Sequence, residues 1–159
     1  MTLETLFGAD GMLCSLSVHS KKQLFQDMAA LFDKNGLLES SGLEARDIVT
    51  AALEREKLGS TGVGSGVAIP HARLAGITSV HGVFATLEEA VEYEAVDNRP
   101  VDLVAMLIAP FDAGGEHLRA LAQISRRLRR PDVRARLRAA PDAQSLFISL
   151  TDETSINAA

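Results

Sequence analysis

Val101-Asp-Leu-Val-Ala-Met-Leu-Ile-Ala109 is apolar at odd and even positions alike, with Asp102 the one exception. A strand with one wet face alternates apolar and polar residues, whereas a strand covered on both faces has no reason to alternate. The stretch therefore reads as a central strand buried on both sides, and the rest of the chain must supply a cover for each face. It is about half as long as a bilayer span requires. Asn98-Arg99-Pro100, just before it, is turn chemistry.

Working outward, helical periodicity supplies the covers. Ser20 is placed to cap a helix with Leu24, Phe25, Met28, Leu31 and Phe32 on one face, and Gly36 marks its stop. Leu43 to Lys57 reads as a second helix with Ile48, Ala51 and Ala52 inward, ended by Gly59. A third runs from Glu116 to Arg130, with Leu118, Leu121, Leu128 and either Ile124 or Ser125 inward. Pro131 and Pro141 each suit the first position of a further short helix, where a missing N–H costs nothing. Met12 to Val18, Val67 to Ile69 and Ser79 to Leu87 are the other strand candidates, with Val91 to Tyr93 as a short edge strand. The sum is a single layered α/β domain whose strand order stays open. The first ten residues and the polar tail after Thr151 read as loose ends, framing the domain at residues 11–150.

Composition narrows the class. The chain has 159 residues, 47% hydrophobic and 23% charged, which excludes disordered, collagen-like and coiled-coil classes. With six Phe, one Tyr and no Trp, it has little surface for stacking bases. The lone Cys14 excludes a disulfide framework and a multi-cysteine metal site, and reads as a buried small hydrophobe. No leader pattern opens the chain, so a cytoplasmic location without membrane insertion is expected. The net charge of −5 conceals a split: eight arginines between Arg119 and Arg138 face one acid, Asp132, so that stretch carries +7 and the remainder −12. The run reads as a solvated helical surface open to an acidic partner. A basic nucleic-acid-binding module is the competing reading, unsupported by any recognition motif.

The chemistry concentrates in Arg55 to Arg73, REKLGSTGVGSGVAIPHAR. A histidine directly after a strand end and a proline is held at a rim, where its ring can be both aimed and exposed. Neutral imidazole is then a nucleophile at one nitrogen while the other is pinned by a hydrogen bond. His71 is either that residue or a surface-loop histidine. Arg55, at the end of the second helix's apolar stripe, is either a cation favoured by the helix dipole or a guanidinium aimed at what His71 holds. His117, in the first turn of the third long helix, is expected to stay neutral with or without a role. The glycine-rich segment can direct backbone amides around Ser60 to Gly62, and the hydroxyls of Ser60 and Thr61, towards an oxyanion. It lacks the Lys-Ser/Thr of a phosphate loop and the third glycine of a dinucleotide fingerprint, so nucleotide binding is not expected. Neither a cofactor nor a metal is called for.

These features together resemble the enzyme IIA family of the phosphoenolpyruvate-dependent phosphotransferase system, fructose/mannitol branch, and most of all its nitrogen-regulatory type. The resemblance spans residues 3–150 and rests on Arg55-Glu56 followed by LGSTGVGSGVAIPH, on NRPVDLVAMLIAP from Asn98 to Pro110, and on His117-Leu118. It implies a mixed β-sheet flanked by helices on both faces. It also implies that His71 accepts a phosphoryl group, with Arg55 and His117 supporting the phosphorylated ring. The implied partners are a histidine phosphocarrier protein as donor and regulated proteins such as transporters or kinases. A sugar-specific IIA component passing phosphate to a IIB partner is the alternative. The LGSTG wording and a chain without an attached permease or carrier domain favour the regulator.

Overall fold

A computed structural model describes residues 1–152. The element order is α1 (Leu3–Phe7), β1 (Met12–Leu16), α2 (Lys21–Lys34), α3 (Ala45–Lys57), β2 (Gly62–Gly64), β3 (Val67–Ala68), β4 (His71–Leu74), β5 (His81–Val91), β6 (Val101–Pro110), α4 (Gly114–Leu128), α5 (Pro131–Ala139) and α6 (Ala143–Thr151). The strands form one mixed sheet in the order β1-β5-β6-β3-β2, with β4 also paired to β6. β6 is the central strand that its composition predicts. Val104, Met106 and Ile108 enter the core beneath α2 and α3, while Leu103, Ala105, Leu107 and Ala109 enter a second core beneath α1, α4, α5 and α6. Alternation persists in space even though both faces are apolar.

α2 matches its prediction closely. The Ser20 hydroxyl accepts from Gln23 N–H, the five expected residues are buried, and Gly36 takes the left-handed conformation just past the cap. α3 starts at Ala45, later than expected, because the Asp47 carboxylate reaches back to accept from Glu44 N–H at 2.8 Å and fixes the start there. Ile48, Val49 and Ala52 are its buried residues.

β3 and β4 are one line of backbone against β6. Ala68 pairs with Val104 and His71 with Leu107, so the register is unbroken across Ile69-Pro70. Pro70 accepts from Leu107 N–H at 3.0 Å but has no N–H to return, which interrupts the ladder without ending it. His71 thus opens a strand instead of following the last one.

Several expectations are corrected. The first ten residues are not a loose segment: α1 is capped by Thr2, and Leu3, Leu6 and Phe7 are buried against the sheet. Val91 ends β5, paired with Val101, so there is no separate edge strand at Val91–Tyr93, and Tyr93 turns into the core. Pro141 precedes the helix it was expected to open, because Asp142 caps α6 by accepting from Ser145 N–H. Cys14 is only partly buried, its thiol donating to Ala140 O at 3.4 Å. Thr151 still belongs to α6, and the remainder of the expected polar tail, 153–159, lies outside the described residues.

α4 is turned relative to its predicted face. His117, Ala120, Ile124, Arg127 and Leu128 are buried, while Leu118 is 66% exposed. Arg127 goes inside because its guanidinium donates to Leu150 O, Ser149 O and Asp152 O at 2.7–3.0 Å, closing the C-terminal end of α6. The arginine run is therefore not uniformly a solvated surface. No helix among the described residues is long and apolar enough to cross a membrane.

Candidate functional site

Three side chains singled out by their sequence positions converge on one recess of about 510 Å³. Arg55 arrives from the last turn of α3, His71 from the start of β4 and His117 from the first turn of α4. The two imidazole rings stand 5.1 Å apart, centroid to centroid, at 68°. Arg73, on the same side of β4 by its two-residue alternation, and the exposed Leu118 also line the space. The turn of α4 that exposes Leu118 is what brings His117 inward.

The His71 tautomer follows from its contact. Nδ1 lies 3.0 Å from Ile69 O, and a carbonyl oxygen can only accept, so in the neutral ring Nδ1 carries the hydrogen and donates it. Nε2 then holds the lone pair. Burial pushes the His71 pKa below its ordinary value; the bond to Ile69 opposes this, the Arg55 charge adds to it, Glu56 opposes it and Arg73 adds to it. His117 is pushed down to about 4 by burial, then by His71 and Arg73. Its Nδ1 is buried with no hydrogen-bond partner among the described residues. The recess therefore holds two neutral imidazoles beside two guanidinium groups near neutral pH, an arrangement suited to an anionic group bonded to one ring.

Arg55 satisfies both readings of its position: Nη1 donates to Gly59 O at 2.9 Å, closing the end of α3, while the side chain lines the recess. Ser60, Thr61 and Gly62 do not line it. Thr61 is buried, with N–H donated to Glu56, and its hydroxyl makes a short contact with the same carboxylate. Gly62 N–H donates to Ser60 Oγ at 3.0 Å. A Cβ on Gly62 would lie 2.6 Å from that of Ala95, so the glycine is needed for close packing. The Gly62 N–H is turned to Ser60, and the Thr61 donors are turned to Glu56.

Sequence reasoning missed the group that receives them. The Glu56 side chain is 5% exposed and accepts from Thr61, from Tyr93 Oη at 2.9 Å and from Lys21 Nζ at 3.4 Å. Lys21 Nζ also sits 4.3 Å from the centre of the Tyr93 ring. Burial, with the Glu56 charge second, holds the Tyr93 hydroxyl firmly protonated and thus a donor. This knot ties α2, α3, the glycine-rich segment and the chain after β5 together, next to Arg55. The one tyrosine in a sequence poor in aromatics was its available signal.

The chain is a phosphotransfer component by family: it belongs to the one described as "Phosphoenolpyruvate-dependent sugar phosphotransferase system, EIIA 2", which matches residues 5–153. A nitrogen regulatory protein of Bradyrhizobium diazoefficiens is 43% identical over 147 residues, covering 92% of this chain and 93% of that protein. The crystal structure of nitrogen regulatory protein IIA-Ntr from Neisseria meningitidis superposes with a TM-score of 0.85 at 34% identity, covering 94% of this chain and 99% of that one. The IIA mannitol structure from Escherichia coli shares the fold, with a TM-score of 0.74 at 22% identity over 91% of this chain and 98% of that one.

Proposed function

We propose that His71 accepts a phosphoryl group on Nε2 from a phosphorylated histidine carrier protein in the cytoplasm, and that the phosphorylation state governs binding to regulated proteins such as transporters or kinases. The observation that carries this reading is the bond from His71 Nδ1–H to Ile69 O, which leaves Nε2 as the nucleophilic atom of a ring lining an open recess. In the transfer, the N–P bond to the carrier's histidine breaks with its electron pair returning to that ring, and the bond from His71 Nε2 to phosphorus forms. The His71 ring keeps its Nδ1 hydrogen and takes on positive charge, favoured by Ile69 O and the nearby Glu56 carboxylate.

Transfer of this kind has a loose transition state with charge on the equatorial oxygens, so alignment and electrostatics do most of the work. Arg55 and Arg73 supply positive charge beside the ring, and His117 is placed to hydrogen-bond a phosphoryl oxygen. A new dianion next to His117 favours its protonated form, so phosphorylation raises the pKa that burial, His71 and Arg73 hold down. Ser60, Thr61 and Gly62 serve the reaction indirectly, by fixing the segment beside Arg55.

Incubation with phosphoenolpyruvate, enzyme I and the carrier should load one acid-labile phosphate per chain and none on His71→Ala. Uptake by the variant would overturn the assignment. The regulatory role is favoured because the nitrogen regulatory relative aligns along nearly its whole length with this chain. Efficient onward transfer to a sugar-specific IIB partner would instead establish a transport component.

A further inference from the structure

We propose that a second recess, bounded by the β2–β3 edge, the end of α4 and the start of α5, binds a small organic anion, a phosphate ester or carboxylate with an apolar body, through Arg129 and Arg134. The proposal does not depend on phosphorylation of His71. The recess has a volume of about 340 Å³ and shares no lining residue with the His71 site. That is within the usual range for small-molecule pockets, which combine an apolar lining with a few fixed polar groups.

Arg130 and Arg136 pair with Asp132, Arg138 pairs with Asp102, and Arg127 is committed to the carbonyls ending α6. Arg129 and Arg134 have no carboxylate partner among the described residues, and they line one recess. Arg134 is half-buried and held: Nη1 donates to Leu128 O at 3.0 Å and Arg129 O at 2.7 Å, satisfying the end of α4. Its Nε and Nη2 make no hydrogen bond to any described residue, which leaves a donor pair on a guanidinium already fixed in place. Arg129 makes one long contact, from Nη2 to Ser125 Oγ at 3.4 Å.

Two uncompensated guanidinium groups at one recess favour an anion, and their forked donors match phosphate or carboxylate oxygens. Val67, Ile69 and Leu128 supply an apolar wall for the body of the ligand. The floor is also rigid, since Ser65 is fixed from both sides, its N–H donating to Asp97 at 3.0 Å and its carbonyl accepting from Arg138 at 2.7 Å. A nucleic acid is disfavoured because no aromatic side chain lines the recess for a base to stack on.

The test is a titration of the full chain, unphosphorylated, with glycerol 3-phosphate and separately with citrate, followed by backbone amide NMR, with sodium chloride at matched ionic strength as control. Saturable shifts are expected at Gly64, Ser65 and Ser125, with a dissociation constant on the order of 1 mM or tighter. The anion that saturates distinguishes a phosphate-ester site from a carboxylate site. The double variant Arg129→Gln/Arg134→Gln should lose about tenfold or more in affinity, while Arg126→Gln, outside the recess, should not change it. Because Arg134 also closes α4, Arg129→Gln alone is the second variant, with an expected loss of about threefold or more. Shifts confined to residues 71 and 117, a non-saturating response equal to that of chloride, or unchanged affinity in Arg129→Gln would each overturn the proposal.

Discussion

Arg55 and Glu56 are neighbours in the chain, yet they face opposite kinds of surroundings. Glu56 ends in a buried knot where every available donor is aimed at its carboxylate. Arg55 keeps one bond to Gly59 O and otherwise borders an open recess with two neutral imidazoles. A charge whose partners are all internal makes its surroundings rigid, whereas one with unspent donors can still hold a ligand. The side of α3 that borders the recess is thus built on the satisfied side.

Removing Glu56 and removing Arg55 should leave different signatures. The largest effect is expected for Glu56→Ala, which strands Thr61, Tyr93 and Lys21 without their common partner and should cost about 3–5 kcal/mol. Urea unfolding should show a lower midpoint at an unchanged slope. A variant as stable as the parent but slow in transfer would move Glu56 from the structural side to the reactive one. Arg55→Ala should do the reverse, slowing phosphoryl transfer by about 10–100-fold while stability changes by no more than about 1 kcal/mol, since the lost contact is an exposed one.

Acid titration probes the recess from the proton side. His117 has a folded pKa of about 4 against an ordinary 6.5, so between these values the unfolded chain binds more protons. Stability is therefore full above pH 6.5 and falls as the pH drops towards 4. His71 and His81, both also lowered chiefly by burial, contribute with the same sign, so His117→Gln should flatten the acid slope without abolishing it. Urea midpoints measured from pH 7 to pH 4 provide the check, and an unchanged slope in the variant would remove His117 from the recess's proton balance. The smallest effect is expected for Tyr93→Phe, about 1 kcal/mol by urea unfolding, because Thr61 and Lys21 remain on Glu56. A larger loss would show that the phenol is the centre of the knot.

The parts of the fold that were legible in the sequence share a physical cause. β6 and α2 are long, and each has one period that packing had no reason to alter. α1 was missed because five residues are too few to display a period, and its burial depends on a sheet assembled far along the chain. β4 was missed because Pro70 looks like an end, although a parallel partner can use its carbonyl alone. The site was legible as a motif around His71, but Thr61 and Gly62 were given donors to spare that the Glu56 carboxylate and the Ser60 hydroxyl oxygen take.

Read alone, the sequence implied that one strand is buried on both faces, that amphipathic helices must cover it, and that His71, after Ile-Pro, is the candidate for the chemistry. Tertiary structure decided which of two adjacent residues faces what: His117 inward and Leu118 out, Arg55 to the recess and Glu56 to the knot, Arg127 inside and Arg126 at the surface. Neighbours on a helix point about 100° apart, and an apolar stripe is wide enough to fit more than one rotation. Composition leaves that rotation open, and the partners supplied by distant segments set it: the sheet and α6 carbonyls for α4, and Lys21, Thr61 and Tyr93 for the end of α3.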